Sequence, residues 1–166
     1  MKYATFLLLL VFIIGCYSKE PEKTAHKQDP LPYFNLLLAD SSTYFSTKDL
    51  PNGKPVVLFY FGPHCPYSRA QMQGIIDNIA KFKDLQFVVF TTSPFDEMKW
   101  FYKNYQLNKY ANIITGVDYT NFFANYFKTD GVPYLAIYGR DKRLNDAFEG
   151  QMPVTQIKSV AESIAQ

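Results

Sequence analysis

Apolar and polar positions along the chain change their spacing repeatedly, and each change marks an element. Residues 4–14 form an apolar run broken only by Thr5. From Tyr17 to Pro30 the chain turns to Ser, Lys, Glu, Pro, Thr, Gln and Asp with almost no apolar side chain. Such a stretch buries too little surface to offset its ordering entropy, which predicts a flexible tether and makes His26 a solvated linker residue. Two short apolar segments follow, Phe34–Leu38 and Thr43–Phe45, joined through the turn-rich Ala39-Asp40-Ser41-Ser42. They predict a short N-terminal β-hairpin. After the turn Pro51-Asn52-Gly53, residues Pro55–Phe61 are apolar without alternation, as expected of a central strand covered on both faces.

Gly62-Pro63-His64-Cys65-Pro66 interrupts that strand, and the spacing of Met72, Ile75, Ile76 and Ile79 predicts a helix from Pro66 to about Phe82. Proline is tolerated at its first position because the missing N–H would have no intrahelical partner there. Gln86–Thr92 reads as a second buried strand and Pro94–Tyr105 as a helix. Beyond Ile113-Ile114 a third helix is predicted near Tyr119–Phe127, where Phe122, Phe123, Tyr126 and Phe127 form adjacent i,i+4 pairs that suit core packing. Gly131-Val132-Pro133 leads into Tyr134–Tyr138, a turn over residues 139–142, a run at Leu144–Phe148, and a closing helix over Pro153–Ile164. Strands alternating with helices and ending in a hairpin predict an α/β fold.

Composition narrows the picture. A chain of 166 residues supports one filled core, and 48% hydrophobic with 17% aromatic residues is a globular composition. The net charge of +2 is carried by scattered lysines, which excludes a nucleic-acid backbone as partner. Cys16 and Cys65 are the only cysteines and His26 and His64 the only histidines, so no metal-ligand spacing and no cofactor site is expected.

Lys2 and the apolar run to Ile14 have the layout of a signal peptide, at about half the roughly 20 apolar residues that a membrane span needs. Ile13-Ile14-Gly15-Cys16 resembles the bacterial lipobox. That resemblance implies a signal peptide over residues 1–15, a diacylated Cys16 opening the tether of residues 16–30, and a folded domain over residues 31–166. The mature protein would sit on a membrane surface facing the periplasm. Tyr17 is not the aspartate linked to inner-membrane retention, which points to the outer membrane.

The element order, with Phe61-Gly-Pro-His-Cys65-Pro-Tyr-Ser68 at a strand-to-helix junction, Gly131-Val132-Pro133 before the hairpin and Glu149-Gly150 before the last helix, resembles the thioredoxin-like superfamily. The closer likeness is to its redoxin and TlpA-like thiol-disulfide branch. It implies a thioredoxin-like fold with a central mixed sheet of four to five strands flanked by helices. It also implies that Cys65 is the nucleophile and that Pro133 is a cis-proline facing it. Independently of the family, a thiol at a helix start meets unpaired N–H groups and the positive end of the helix dipole, which favour thiolate. Arg69 and His64 would add positive potential, and Pro66 sets the helix start. Three departures stand out: Ser68 replaces the second cysteine, Phe59 stands where thioredoxins carry a buried aspartate, and Gln71 stands near a glutamate of some membrane-anchored relatives.

Two functions remain open at this point. In one, Cys65 is the single thiol of a C-x-x-S oxidoreductase acting on protein or small thiol and disulfide substrates, with an external thiol resolving the adduct. A peroxidase variant lacks the Thr-x-x-Cys arrangement of peroxiredoxins. The other reading is a redox-inactive binding or accessory lipoprotein that keeps the scaffold.

Overall fold

The structure, a computed structural model, describes residues 18–163. Seven strands form one mixed sheet, in which β2 (Tyr44–Ser46) and β1 (Asn35–Leu38) are followed in order by β5 (Ile113–Val117), β4 (Gln86–Thr91), β3 (Val56–Tyr60), β6 (Tyr134–Tyr138) and β7 (Leu144–Glu149). Strands β3, β4 and β5 are parallel and central. Strand β6 runs antiparallel to β3, and β7 closes that edge. The helices are α1 (Pro66–Asp77), α2 (Phe95–Asn104), α3 (Phe122–Phe127) and α4 (Val154–Glu162).

Strand β3 shows how the sequence makes two layers. Every one of its residues is buried, and alternate side chains enter opposite cores. Val57 and Phe59 pack with Met72, Ile75, Phe101 and Ile157 from α1, α2 and α4. Val56, Leu58 and Tyr60 pack with Phe123 and Phe127 of α3. The aromatic residues of α3 are thus core, as their spacing predicts. Met72 and Ile75 are fully buried, each contributing about 1.5–3 kcal/mol by leaving water.

The sheet has seven strands rather than four to five because the N-terminal hairpin, β1 with β2, is part of it. Leu37 and Leu38 pair antiparallel with Val117 and Gly116 of β5. A Cβ at Gly116 would stand 2.7 Å from the Leu37 carbonyl oxygen, so glycine is what lets the hairpin approach. The polar break Thr115-Gly116 hides β5 from a reading that looks for apolar runs.

Two helices are shorter than expected. Helix α1 stops at Asp77 because Asn78 leaves helical geometry and donates its side-chain amide to the Gly74 carbonyl at 3.0 Å, and a 3-10 turn over Ile79–Phe82 follows. Helix α3 begins at Phe122 because the Asp118 carboxylate accepts from the Thr120 and Phe123 N–H groups at 3.1 and 3.0 Å, which holds residues 118–121 in a turn.

The polar stretch expected as a free tether is attached to the domain. The Glu22 N–H donates to Ala147 O at 2.7 Å, and Asp29 O accepts from the Leu144 N–H at 3.0 Å, which lays this segment along β7. His26 is not a solvated linker residue: its ring stacks on Tyr126 at 3.9 Å and its nitrogens meet Asp29 Oδ2 at 2.9 Å and Tyr126 O at 2.8 Å. Two hydrogen bonds and one ring stack supply the affinity that apolar side chains here do not. The expected signal peptide and Cys16 lie outside the described residues.

Candidate active site

The site forms where β3 ends. Phe61 continues the parallel pairing by donating to Phe90 O at 2.9 Å, and Gly62 then turns the chain so that Cys65 N–H donates back to Gly62 O at 3.0 Å. Gly62 has no room for a side chain, since a Cβ would stand 2.9 Å from Val132 Cγ2 and 3.2 Å from Cys65 Cβ. Cys65 is the N-cap of α1 and Pro66 its first residue. The Cys65 thiol is partly exposed and donates to Val132 O at 3.3 Å. The Val132–Pro133 peptide bond is cis, and Pro133 O accepts from the Gly150 N–H at 2.7 Å. Cys65 and the Gly131-Val132-Pro133 loop, far apart in sequence, are therefore one site.

Ser68 lies one turn into α1, is fully buried, and accepts from the Gly62 N–H through Oγ at 3.1 Å. It ties the helix to the strand end instead of bonding the thiol. Phe59 is fully buried and pairs with Val89 and Leu135 in the sheet, so an apolar ring occupies the position where the resemblance implies an acid. Gln71 is buried as well. Its Oε1 accepts from Met152 N–H at 2.7 Å and its Nε2 has no partner.

Among the described residues the side chains of His64 and Arg69 make no hydrogen bond to the Cys65 thiol; Arg69 meets Cys65 only through its backbone N–H, which donates to Cys65 O at 3.0 Å. Arg69 Nε donates to Pro63 O at 2.8 Å, its guanidinium lies 4.9 Å from the centre of the Trp100 ring, and Nη2 reaches His64 Nδ1 at 3.3 Å. His64 Nε2 lies 3.5 Å from Glu97 Oε2. Because a guanidinium only donates, His64 Nδ1 accepts from Arg69 Nη2, and the Nε2 edge of the ring faces the Glu97 carboxylate, which joins the rim of the site to α2. The His64–Glu97 contact is exposed and contributes little to stability.

Sequence reasoning missed the loop that supports Val132. Thr129 Oγ1 donates to Glu149 Oε2 at 2.9 Å and accepts from the Gly131 N–H at 3.1 Å. A Cβ at Gly131 would overlap the Glu149 carboxylate, so a larger residue there would have to push that exposed side chain away from Thr129. Burial, together with the charges of Glu22 and Glu149, pushes the Tyr134 phenol well above its ordinary range, so it stays neutral. Thr129 and Trp100 carry no sequence signal beyond their types, and Glu149 is marked only as part of the Glu149-Gly150 motif, because the roles of all three arise from contacts between distant segments. No group of residues suited to hold a metal ion occurs among the described residues.

A sheet with helices on both faces and a cysteine at a helix start beside a cis-proline define a thioredoxin-like protein. The profile of the Redoxin family matches residues 26–164, and the chain belongs to that family. None of the curated proteins matches it. Among solved structures, peroxidoxin BcpB from Mycobacterium tuberculosis is similar at a TM-score of 0.67 and 17% identity, over 82% of this chain and 94% of that one. Mycobacterium tuberculosis dsbF, solved in mixed oxidised and reduced forms, is similar at a TM-score of 0.65 and 20% identity, over 78% and 96% of the two chains. StoA from Bacillus subtilis follows at 0.60 and 13%, over 79% and 97%. At these identities the likeness is one of fold.

Proposed function

We propose that this protein is an exported, membrane-anchored thiol-disulfide oxidoreductase that works through one thiol, Cys65. The observation that carries the reading is the placement of Cys65 Sγ, partly exposed at the start of α1 and 3.3 Å from Val132 O, with buried Ser68 where a second thiol would stand. The Cys65 thiolate attacks one sulfur of a substrate disulfide. A Cys65–substrate S–S bond forms, the original S–S bond breaks, and the other half leaves as thiolate. An external thiolate then attacks the mixed disulfide, takes the substrate half into a new disulfide and returns Cys65 as thiolate. His64, Pro66 and Arg69 shape the rim and the helix start, and the buried cis Pro133 fixes the loop that carries Val132 O to the thiol.

Export rests on the signal-peptide pattern of residues 1–15 and anchoring on the lipobox-like Gly15-Cys16, with periplasmic exposure on the outer membrane as the setting. The folded domain begins near residue 31, after a segment strapped to it. Phe59 and Ser68 favour the second reading, a binding protein without turnover, since neither carries a proton or a second thiol.

Glutathione disulfide tests this. The intact protein should add one glutathione at Cys65, keep it until dithiothreitol is supplied, and add none in Cys65→Ala; Ser68→Cys should release glutathione without external thiol. A wild-type protein that forms no adduct leaves the binding reading standing.

A further inference from the structure

The N-terminal strap ends at the active-site end of the domain. Lys19 N–H donates to Gln156 Oε1 at 2.8 Å, and Gln156 Nε2 donates to Lys19 O at 2.7 Å, so the strap is clamped to α4 by a reciprocal pair. Lys19 and Tyr67 line one open groove of about 590 Å³ together with Gly150, Gln151, Met152 and Pro153. Tyr67 is two residues from Cys65, and Gly150 donates to Pro133 O at 2.7 Å beside the carbonyl that accepts from the thiol. The groove thus adjoins the site.

Cys16 stands three residues before Lys19. At about 3.3–3.6 Å per extended residue, a lipid on Cys16 lies within roughly 11 Å of the Lys19 clamp. A free linker of the whole polar stretch would have allowed several times that distance. The side chains at this end suit a headgroup layer. Tyr67 is 62% exposed and Trp100 is 44% exposed, while Lys19 and Arg69 bring long cationic side chains. Aromatic rings with a polar edge and cations on apolar stems are the residues that settle at a membrane–water interface.

We propose that the Cys65 end of the domain faces the lipid surface that holds the anchor, so that its substrates are thiols and disulfides carried at that surface rather than bulky soluble proteins. The inference rests on the lipid-anchor reading above and adds an orientation to it. The strap makes the orientation persistent because it removes most of the chain that would otherwise let the domain tumble.

The test uses the full chain purified from membranes and reconstituted in phosphatidylethanolamine–phosphatidylglycerol vesicles. A small maleimide and a polymer-linked maleimide are compared on the native chain and on a variant with a Gly/Ser insert between Tyr17 and Ser18, long enough for about 25 Å of reach. The small reagent should label both at one rate. The polymer reagent should label the native chain about tenfold more slowly than the variant, equivalent to about 1.4 kcal/mol of added barrier. Equal polymer rates overturn the proposal. Tyr67→Cys in a Cys65→Ala background gives the same comparison without relying on the reactivity of Cys65. The mass of the mature N-terminus separates the two ideas: an unlipidated Cys16 removes the anchor reading and this orientation with it, whereas lipidated protein with equal rates removes the orientation alone.

Discussion

Ser68 Oγ accepts from the Gly62 N–H at 3.1 Å with its side chain fully buried. A hydroxyl at the position of a second thiol therefore has a structural role, holding the end of β3 against the first turn of α1. Ser68→Ala leaves the half-buried Gly62 N–H without that acceptor, and losing such a hydrogen bond costs about 0.5–1.5 kcal/mol. Urea unfolding should show a lower midpoint with an unchanged slope. An unchanged midpoint would mean that Gly62 finds another acceptor and that Ser68 is free to act on the thiol.

Gly116 is the second pivot, since the Leu37 carbonyl would stand 2.7 Å from any Cβ placed there. Gly116→Ala forces β1 away from β5, at a cost of about 1–3 kcal/mol for overpacking. Amide exchange should quicken over residues 35–46 while β3 and β4 keep their protection. Uniform acceleration across the sheet would show instead that the hairpin and the central strands open together.

Asp40 gives a pH-dependent feature remote from the site. The Thr43 hydroxyl, followed by the Ser42 and Thr43 N–H groups, holds its carboxyl down from 3.8 to about 2. A folded-state value below the unfolded one stabilises the fold above the unfolded value, and this contribution is lost as pH falls through the folded one. The Ser42 and Thr43 amide resonances should therefore shift with a midpoint near pH 2, and Asp40→Asn should abolish the transition. A midpoint near the ordinary carboxylate value would show that the turn hydrogen bonds do not form in solution.

The elements whose identity is local were legible in the sequence. β3 reads as a run apolar on both faces, α1 follows Pro66, and the aromatic spacing of α3 places it in the core. Cys65, Ser68 and the Gly131-Val132-Pro133 loop were legible because a cysteine before a helix and a Gly-Val-Pro before a strand are short patterns. The fusion of the hairpin to the sheet was not, because it depends on an absent side chain at Gly116 meeting a strand far earlier in the chain. The docking of the polar N-terminal segment was equally hidden. Composition reports how much apolar surface a segment has, whereas His26 holds its place with a stacked ring and two polar contacts. The expected roles of His64 and Arg69 met a similar limit: sequence put them beside Cys65, and only packing shows that their side chains turn to Trp100 and Glu97.

Gly131 links the support of the loop to the chemistry. Its N–H donates to Thr129 Oγ1 at 3.1 Å, that hydroxyl donates to Glu149 Oε2 at 2.9 Å, and the Glu149 carboxylate lies where a Gly131 Cβ would be. Gly131→Ala must move either the carboxylate or the loop. Glu149 is exposed and its side chain can swing aside, but doing so breaks its bond to Thr129, which is buried. The loop then loses its brace next to Val132, whose carbonyl accepts from the Cys65 thiol. A displacement of about 1 Å at a reacting group lowers rates by as much as about a hundredfold. Mixed-disulfide formation with glutathione disulfide should accordingly slow by about tenfold to a hundredfold in Gly131→Ala. Glu149→Ala in the same background removes the overlap, leaves Thr129 without its acceptor, and should restore part of the rate. If the double variant is as slow as the single one, the effect comes from the Thr129 brace rather than from crowding. If Gly131→Ala reacts at the wild-type rate, the position of Val132 does not govern access to Cys65.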